Sequence, residues 1–507
     1  MDCTMAVVTI KYRETTEQHT VLCGTALSAV LLRHEGCPHL FCGGKGTCGK
    51  CRVTAHGMLS KASAEELRLL SAKEIAEGVR LACRCTVLGD CEVLLHNTIA
   101  LQNISVTGCM PKFPVKPTFT HYGAAVDLGT TTLVAQLYNS VGLLCTVSTQ
   151  NPQSNFGADV ISRIGKSLEG FHEALAVSVG EAISAMLENL EEQAKLPPKS
   201  IDGMVITGNT AMLYLLTEKN PDCLAHAPFV ADDLFGRSIP CETLSLPCKA
   251  GAQVYLPRCM SAFVGADITG AILAGGLCTG TLPRLLVDIG TNGEMALWHN
   301  GQLFCCSTAA GPTFEGAGIS MGMQGANGAI DHVAVRNGKP CVHTIGESAA
   351  LGICGSGIVD TIFALLELGI IDETGFLEGD IFSLTEKVKI VQQDVRMVQL
   401  AKSAICAGIH TLLQVAGVPL ETLSALLIAG GFGSYLDLDK AAGIGLFPTE
   451  IRKNALVLGN AALSGAAMML MNPEFREASE QLANSAKTID LTTNSFFSEY
   501  YVEGMFF

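Results

Sequence analysis

Three cysteines crowd one glycine-rich loop near the start of the chain: Cys42, Cys48 and Cys51, spaced C-x5-C-x2-C within CGGKGTCGKC. A fourth thiol, Cys83, follows in Arg80-Leu-Ala-Cys83. Three thiolates on one loop and one at a distance are what the rhomb of a [2Fe–2S] cluster requires. The intervening glycines let backbone N–H groups turn inward and approach the sulfurs. A zinc site would show paired C-x2-C knuckles, and here there is one. Cys85 competes with Cys83 as fourth ligand, since residues two apart on a strand face the same side. Cys37 lies outside the loop and reads as a spare thiol. Gly44 to Lys50 also spells G-x4-G-K, but Cys51 stands where a P-loop needs Ser or Thr for Mg²⁺. The loop is therefore read as a cluster loop and not as a P-loop.

A second constellation lies further on. Asp127-Leu-Gly129-Thr130-Thr131-Thr132 and Asp288-Ile-Gly290-Thr291-Asn292-Gly293 echo one another, each ending one apolar strand and opening the next. Glycine permits the tight turn, and N–H groups and hydroxyls then face phosphates. The aspartate at each strand end is placed to hold Mg²⁺, directly or through water. The pair resembles the two phosphate loops of the actin/Hsp70/sugar-kinase superfamily. On that resemblance Gly430-Gly431-Phe432-Gly433 is the adenosine motif, where small residues let base and ribose lie against the backbone. Gly355-Ser-Gly357-Ile-Val-Asp360 and Gly459-Asn-Ala-Ala-Leu-Ser-Gly465 would be the two connecting helices that cross at the hinge. Glu315, in a glycine-rich turn, is placed to reach the cleft, so Asp127, Asp288 and Glu315 are the catalytic candidates. Asp159 either orients an attacking water or caps the next helix. His121, His226, His332, His343 and His410 form no spaced pair and read as structural.

The elements that must position these residues are legible in outline. Two strands (5–12, 19–23), a helix (25–34), the cysteine loop, a strand (51–55), two capping-box helices from Ser63 and Ser71 and a strand near 91–95 form a β-grasp order. From 97 to 122 periodicity stops and Pro111, Pro114 and Pro117 recur, which favours an extended linker. From 123 onward strands alternate with helices at 158–168, 172–195, 209–217, 350–369, 394–415 and 459–471, an α/β pattern. The expected organisation is a ferredoxin-type domain (1–96), a linker (97–122) and a duplicated ATP-binding domain (123–507) with lobes at 123–280 and 281–507. A length of 507 residues calls for more than one domain, and 48% hydrophobic content with 53 glycines suits buried sheets with tight turns. A net charge of −15 argues against nucleic acid or an anionic membrane as partner. No uninterrupted apolar run is long enough to span a bilayer; 263–278 comes nearest and is broken by Asp267. Met1-Asp2-Cys3 opens without a secretory pattern, and 21 cysteines then read as reduced thiols plus a metal site, which points to the cytoplasm.

The length of the cysteine loop, with RLxC supplying the fourth ligand, resembles the adrenodoxin and putidaredoxin branch of ferredoxins and favours Cys83. The whole order of motifs, with NPQ (151–153), GADVISRI (157–164), TGNTAM (207–212) and the terminal Phe496-Phe497-x3-Tyr501-x3-Met505-Phe506, resembles the reductive activators of corrinoid-dependent enzymes. That resemblance implies a [2Fe–2S] cluster, ATP and Mg²⁺ as cofactors, and a corrinoid protein as electron acceptor. It also implies an upstream electron donor, which the sequence does not identify, and leaves room for a homodimer. The expected reaction is ATP-dependent reduction of cob(II)amide to cob(I)amide. The alternatives are ATP-driven electron donation to another metalloenzyme, of the 2-hydroxyacyl-CoA dehydratase type, and a redox-sensing chaperone-like ATPase.

Overall fold

The structure is a computed structural model and describes residues 5–12, 15–31, 34, 38, 44, 46, 49, 51–95 and 108–507. Cys37, Cys42 and Cys48 lie outside the described residues. The chain divides into two compact units, Met1–Leu101 with Gln153–Arg163, and Gln102–Pro152 with Ile164–Phe507.

In the first unit a five-stranded sheet runs in the order Thr15–Leu22, Met5–Tyr12, Val87–Leu94, Arg52–Leu59, Val79–Leu81. The first two strands form a hairpin, and Met5–Tyr12 runs parallel to Val87–Leu94 at the centre, the β-grasp arrangement. Alternation explains the packing: Ala6, Val8, Ile10 and Tyr12 all point into the core. Both capping boxes form, with Ser63 and Ser71 exchanging hydrogen bonds with Glu66 and Glu74. Glu66 has a second task. Fully buried, it accepts from Arg80 Nε at 2.9 Å, from Arg80 Nη2 at 3.0 Å and from Leu81 N at 3.0 Å. Burial alone would raise its pKa, but the Arg80 guanidinium and the backbone donors hold it below the usual carboxylate range.

The second unit repeats one sheet plan. Its first sheet runs Arg237–Pro240, Gln253–Leu256, Gly203–Gly208, Gly123–Leu128, Thr132–Tyr138, Leu143–Gln150. The second runs Ala455–Gly459, Ala425–Ala429, Arg284–Ile289, Gly293–His299, Gln302–Thr308, Lys487–Thr488. In each, an antiparallel meander of three strands is flanked on its first strand by two successive parallel neighbours. The two D-x-G-T loops therefore occupy equivalent positions in the two halves.

The helices that cross between the halves are Ala266–Ala274 and Ala461–Met471. A Cβ on Gly465 would lie 2.3 Å from the Gly270 Cα, so only glycine admits this approach. The expectation for the first connecting helix is thereby corrected. Gly355–Glu367 packs instead on the strand Ala329–Arg336. The small-residue pattern signalled a close approach in both places, but not its partner.

Where described, the proline segment forms no helix and no named strand, and it is not a free spacer. Cys109 N donates to Leu458 O, Lys116 N to Met471 O and Thr118 N to Leu470 O, and Asn472 Nδ2 donates to Pro114 O. Phe113 stands edge-on to Phe475, ring centroids 5.0 Å apart. Backbone donors before, within and after the proline run thus pair with other parts of the second unit. The terminal aromatic pattern forms the helix Ser495–Glu503, which packs on Gln392–Ala416. From that longer helix the buried Lys402 donates to Gly504 O at 2.9 Å and to Phe506 O, and burial lowers its pKa to about 8. Among the described residues no helix is long and apolar enough to cross a membrane.

Candidate functional site

The first candidate site lies where Arg80 and Glu66 anchor the approach to Cys83. Residues 82–84 form a turn closed by Arg84 N and Cys85 N on Leu81 O, while Ala82 N donates to Cys51 O at 2.8 Å. This tie to the Cys51 backbone leaves Cys83 Sγ 3.3 Å from Cys51 Sγ. Because the backbone turns, Cys83 and Cys85 do not share a face. Cys85 points into the core beside Cys91, and burial pushes its thiol up to about 11, with Arg80 opposing. An inert buried thiol and a clustered pair are chemically different sites. The Cys51–Cys83 pair fits two ligands of one iron.

In the second unit Asp127 and Asp288 stand near the ends of their equivalent strands, Gly123–Leu128 and Arg284–Ile289. Each turn closes on its glycine, Gly129 N donating to Thr132 O three residues on and Gly290 N to Asn292 O two residues on, both at 3.1 Å. Two asparagines brace the first loop. Asn151 N donates to Thr131 O at 2.9 Å and its Nδ2 to Gly129 O at 2.8 Å; Asn209 Nδ2 donates to Thr130 Oγ1 at 3.1 Å. These contacts give a physical role to the NPQ and TGNTAM phrases. Glu315 then joins the loops, its Oε2 accepting from Thr131 Oγ1 and its Oε1 from Thr291 Oγ1 at 2.8 Å. Gly430, at φ +94°, lies directly against Asp288, since a Cβ there would sit 2.7 Å from Asp288 Oδ1. Phe432 stacks on Phe314 with centroids 5.1 Å apart. Gly430 thus borders the Asp288 loop, and Phe432 lies on the turn that carries Glu315.

The electrostatics is unusual because the carboxylates face one another. Asp127 lies deep, and burial pushes it up to about 6 although Asn460 Nδ2 donates to its Oδ2 at 2.8 Å. Asp288 is pushed up to about 7 by burial and by Asp267, Asp127 and Glu315. Asp267, at the start of the first crossing helix, also reaches about 7 through burial and Asp127. Glu294, directly across the strand pair from Asp288, is raised well above its ordinary value by burial, Asp267 and Asp288. Asp127, Asp267 and Asp288 remain partly accessible, and Glu294 is buried. Anions held this way call for a cation. Among the described residues no three carboxylates, thiols or imidazoles converge on one point.

Asp267, Glu294 and Asn460 are absent from the sequence-derived list. Asp267 had a signal, a lone charge in the most apolar stretch of the chain; Asn460 lay within the Gly459–Gly465 phrase, which was read for its small residues, and Glu294 had no signal. Asp159 resolves toward its second reading: its Oδ1 accepts from Ser162 N at 2.7 Å, and its own N donates to Ser162 Oγ, which caps the helix Val160–Lys166.

Two family models match the chain, one described as the RACo middle region over residues 122–279 and one as the C-terminal, ASKHA domain of RACo over residues 283–507. The chain is 35% identical over 419 residues to the corrinoid activation enzyme RamQ of Eubacterium limosum, covering 76% of this chain and 70% of that protein. The chain belongs to the family of reductive activators of corrinoid proteins. A second member, the [Co(II) methylated amine-specific corrinoid protein] reductase of Methanosarcina barkeri, is 25% identical over 75% of this chain and 76% of its own length. A solved structure titled reductive activator for corrinoid,iron-sulfur protein superposes with a TM-score of 0.73 at 26% identity, covering 99% of this chain and 98% of that one. Members of this activator family are enzymes, and the paired ASKHA halves described above are its ATPase fold.

Proposed function

We propose that this protein uses ATP to return cob(II)amide on a partner corrinoid protein to cob(I)amide, with one electron delivered through the N-terminal unit. The observation that carries the reading is the Glu315 bridge: one carboxylate ties Thr131 of the first D-x-G-T loop to Thr291 of the second. Phosphates entering between the loops would take over those hydroxyls, and Glu315 would be freed to orient a water. Asp127 and Asp288, with Asp267 beside them, would hold Mg²⁺ through its water shell. Gly129, Thr130, Thr131 and Thr132, and Gly290, Thr291, Asn292 and Gly293, would offer N–H groups and side chains to the phosphates, with Gly430 to Gly433 along the adenosine.

Cys42, Cys48, Cys51 and Cys83 would hold a [2Fe–2S] cluster, which when bound supplies one low-potential electron at a time. One electron takes the acceptor cobalt from +2 to +1. Plant-type ferredoxins sit near −400 mV, and the corrinoid couple is expected to lie lower. A gap of ~200 mV costs roughly 5 kcal/mol at about 59 mV per tenfold. Nucleotide can offset it through differential affinity for two states of the partner complex.

The test is pre-reduced protein mixed with a cob(II)amide protein, with and without ATP, followed by visible spectroscopy. Cob(I)amide should accumulate only with ATP and an intact cluster domain. Equal reduction without nucleotide, or none with any corrinoid protein of the same organism, would turn the assignment toward another metalloenzyme acceptor.

A further inference from the structure

Two histidines with no motif spacing are brought together across a hairpin. The strands Ala329–Arg336 and Lys339–Thr344 pair antiparallel, and His332 stands opposite His343. Their ring centroids are 6.3 Å apart, and the side chains are 48% and 58% exposed. Each ring already has a carboxylate on Nδ1: Asp331 Oδ1 at 2.6 Å from His343, and Asp360 Oδ2 at 3.2 Å from His332. Among the described residues neither Nε2 makes a hydrogen bond.

That pairing matters chemically. A carboxylate on Nδ1 holds the N–H there, fixes the ring and leaves the Nε2 lone pair free, which is the outer shell of a metal-bound imidazole. Both carboxylates are themselves fixed. Asp360 is fully buried on the helix Gly355–Glu367 and its Oδ2 also accepts from Val333 N at 3.0 Å and from Lys440 Nζ at 2.5 Å. Asp331 is the extra residue of a bulge between Ile330 and His332, a device that re-aims a side chain at a strand edge.

We propose that His332 and His343 form a two-imidazole site for a borderline divalent transition-metal ion of the Ni²⁺, Cu²⁺ and Zn²⁺ class, with water completing the coordination. Through Asp360 and Lys440 the bound ion would fasten the hairpin to the helix Gly355–Glu367. It would also fasten it to the helix Leu438–Gly443, which follows the Gly430–Gly433 turn. The proposal is independent of the ATP and corrinoid chemistry above.

The probe is Ni²⁺, titrated calorimetrically into the full-length protein, with thermal melts alongside. His332→Gln and His343→Gln should each weaken one equivalent of binding at least tenfold and abolish the Ni²⁺-induced rise in Tm. Asp331→Asn should weaken it about 10- to 100-fold without touching a ligand. Cys341→Ser, two residues from His343 on the same strand face, should leave that equivalent in place. An isotherm unchanged in both histidine variants, or one erased by Cys341→Ser alone, would overturn the site.

Discussion

Cys83 and Cys85 differ by two positions and by almost everything that decides reactivity. Cys83 sits on a turn, 3.3 Å from Cys51; Cys85 is buried among apolar side chains with its thiol held up at about 11. Cys83→Ser should therefore strip or strongly perturb the cluster absorbance and EPR signal, while Cys85→Ser leaves both intact; the reverse pattern would sink the ligand assignment. The carboxylates allow an equally sharp test. Removing the side chain at Asp127 or Asp288 should lower ATP hydrolysis on the order of 100-fold or more with the cluster spectrum unchanged. Asp288→Asn should at the same time raise the melting temperature of the nucleotide-free protein, because it removes a charge that burial and three neighbouring carboxylates oppose. Loss of hydrolysis with a lowered melting temperature would mean that Asp288 serves the fold instead.

At the scale of elements, much of the frame was readable and the exceptions have physical causes. The strands Gly123–Leu128 and Arg284–Ile289 follow from apolar runs closed by Asp-x-Gly, whose turn chemistry is local, and Thr132–Tyr138 and Gln302–Thr308 follow from apolar runs of their own. Arg237–Pro240, Ala329–Arg336 and Lys339–Thr344 escaped because they are partly exposed and mixed in polarity, without a sustained apolar run. The same lack of a local signal hid the His332–His343 pair and put the first crossing helix in the wrong place. Gly270 and Gly465 reveal the true crossing, and they are not equivalent. A Cβ on Gly465 meets the Gly270 backbone at 2.3 Å, whereas one on Gly270 meets Ala462 O at 3.0 Å. Gly465→Ala should therefore destabilise by about 1–3 kcal/mol or more, and Gly270→Ala by distinctly less, as measured by denaturant midpoints. Equal costs would mean that the two helices do not approach this closely.

For the whole molecule the buried carboxylates make pH a reporter of nucleotide binding. Asp127 is held at about 6, Asp267 and Asp288 at about 7, and Glu294 is raised well above its ordinary range, against roughly 4 for Asp and Glu in an unfolded chain. Around neutrality the folded protein thus binds protons that the unfolded chain has released, so stability falls as pH rises. The stabilising contribution is complete below about pH 4 and is lost as pH climbs through 6 to 7 and beyond. Without ligand, the second unit should melt higher at pH 6 than at pH 8. A divalent cation reverses the preference, because it favours the charged carboxylates. Preformed Mg·ATP should therefore expel protons as it binds at pH 6.5, and fewer at pH 8, where the aspartates are already ionised. Because these groups interact, the release belongs to the cluster and will not divide cleanly among its members. Calorimetry in two buffers of different ionisation enthalpy measures it directly. Asp288→Asn should diminish the release at pH 6.5 and flatten the pH dependence of the melting temperature. A release that is absent at pH 6.5, or that grows toward pH 8, would show that the cation does not bind against these carboxylates, and the Mg²⁺ site would have to be sought elsewhere in the cleft.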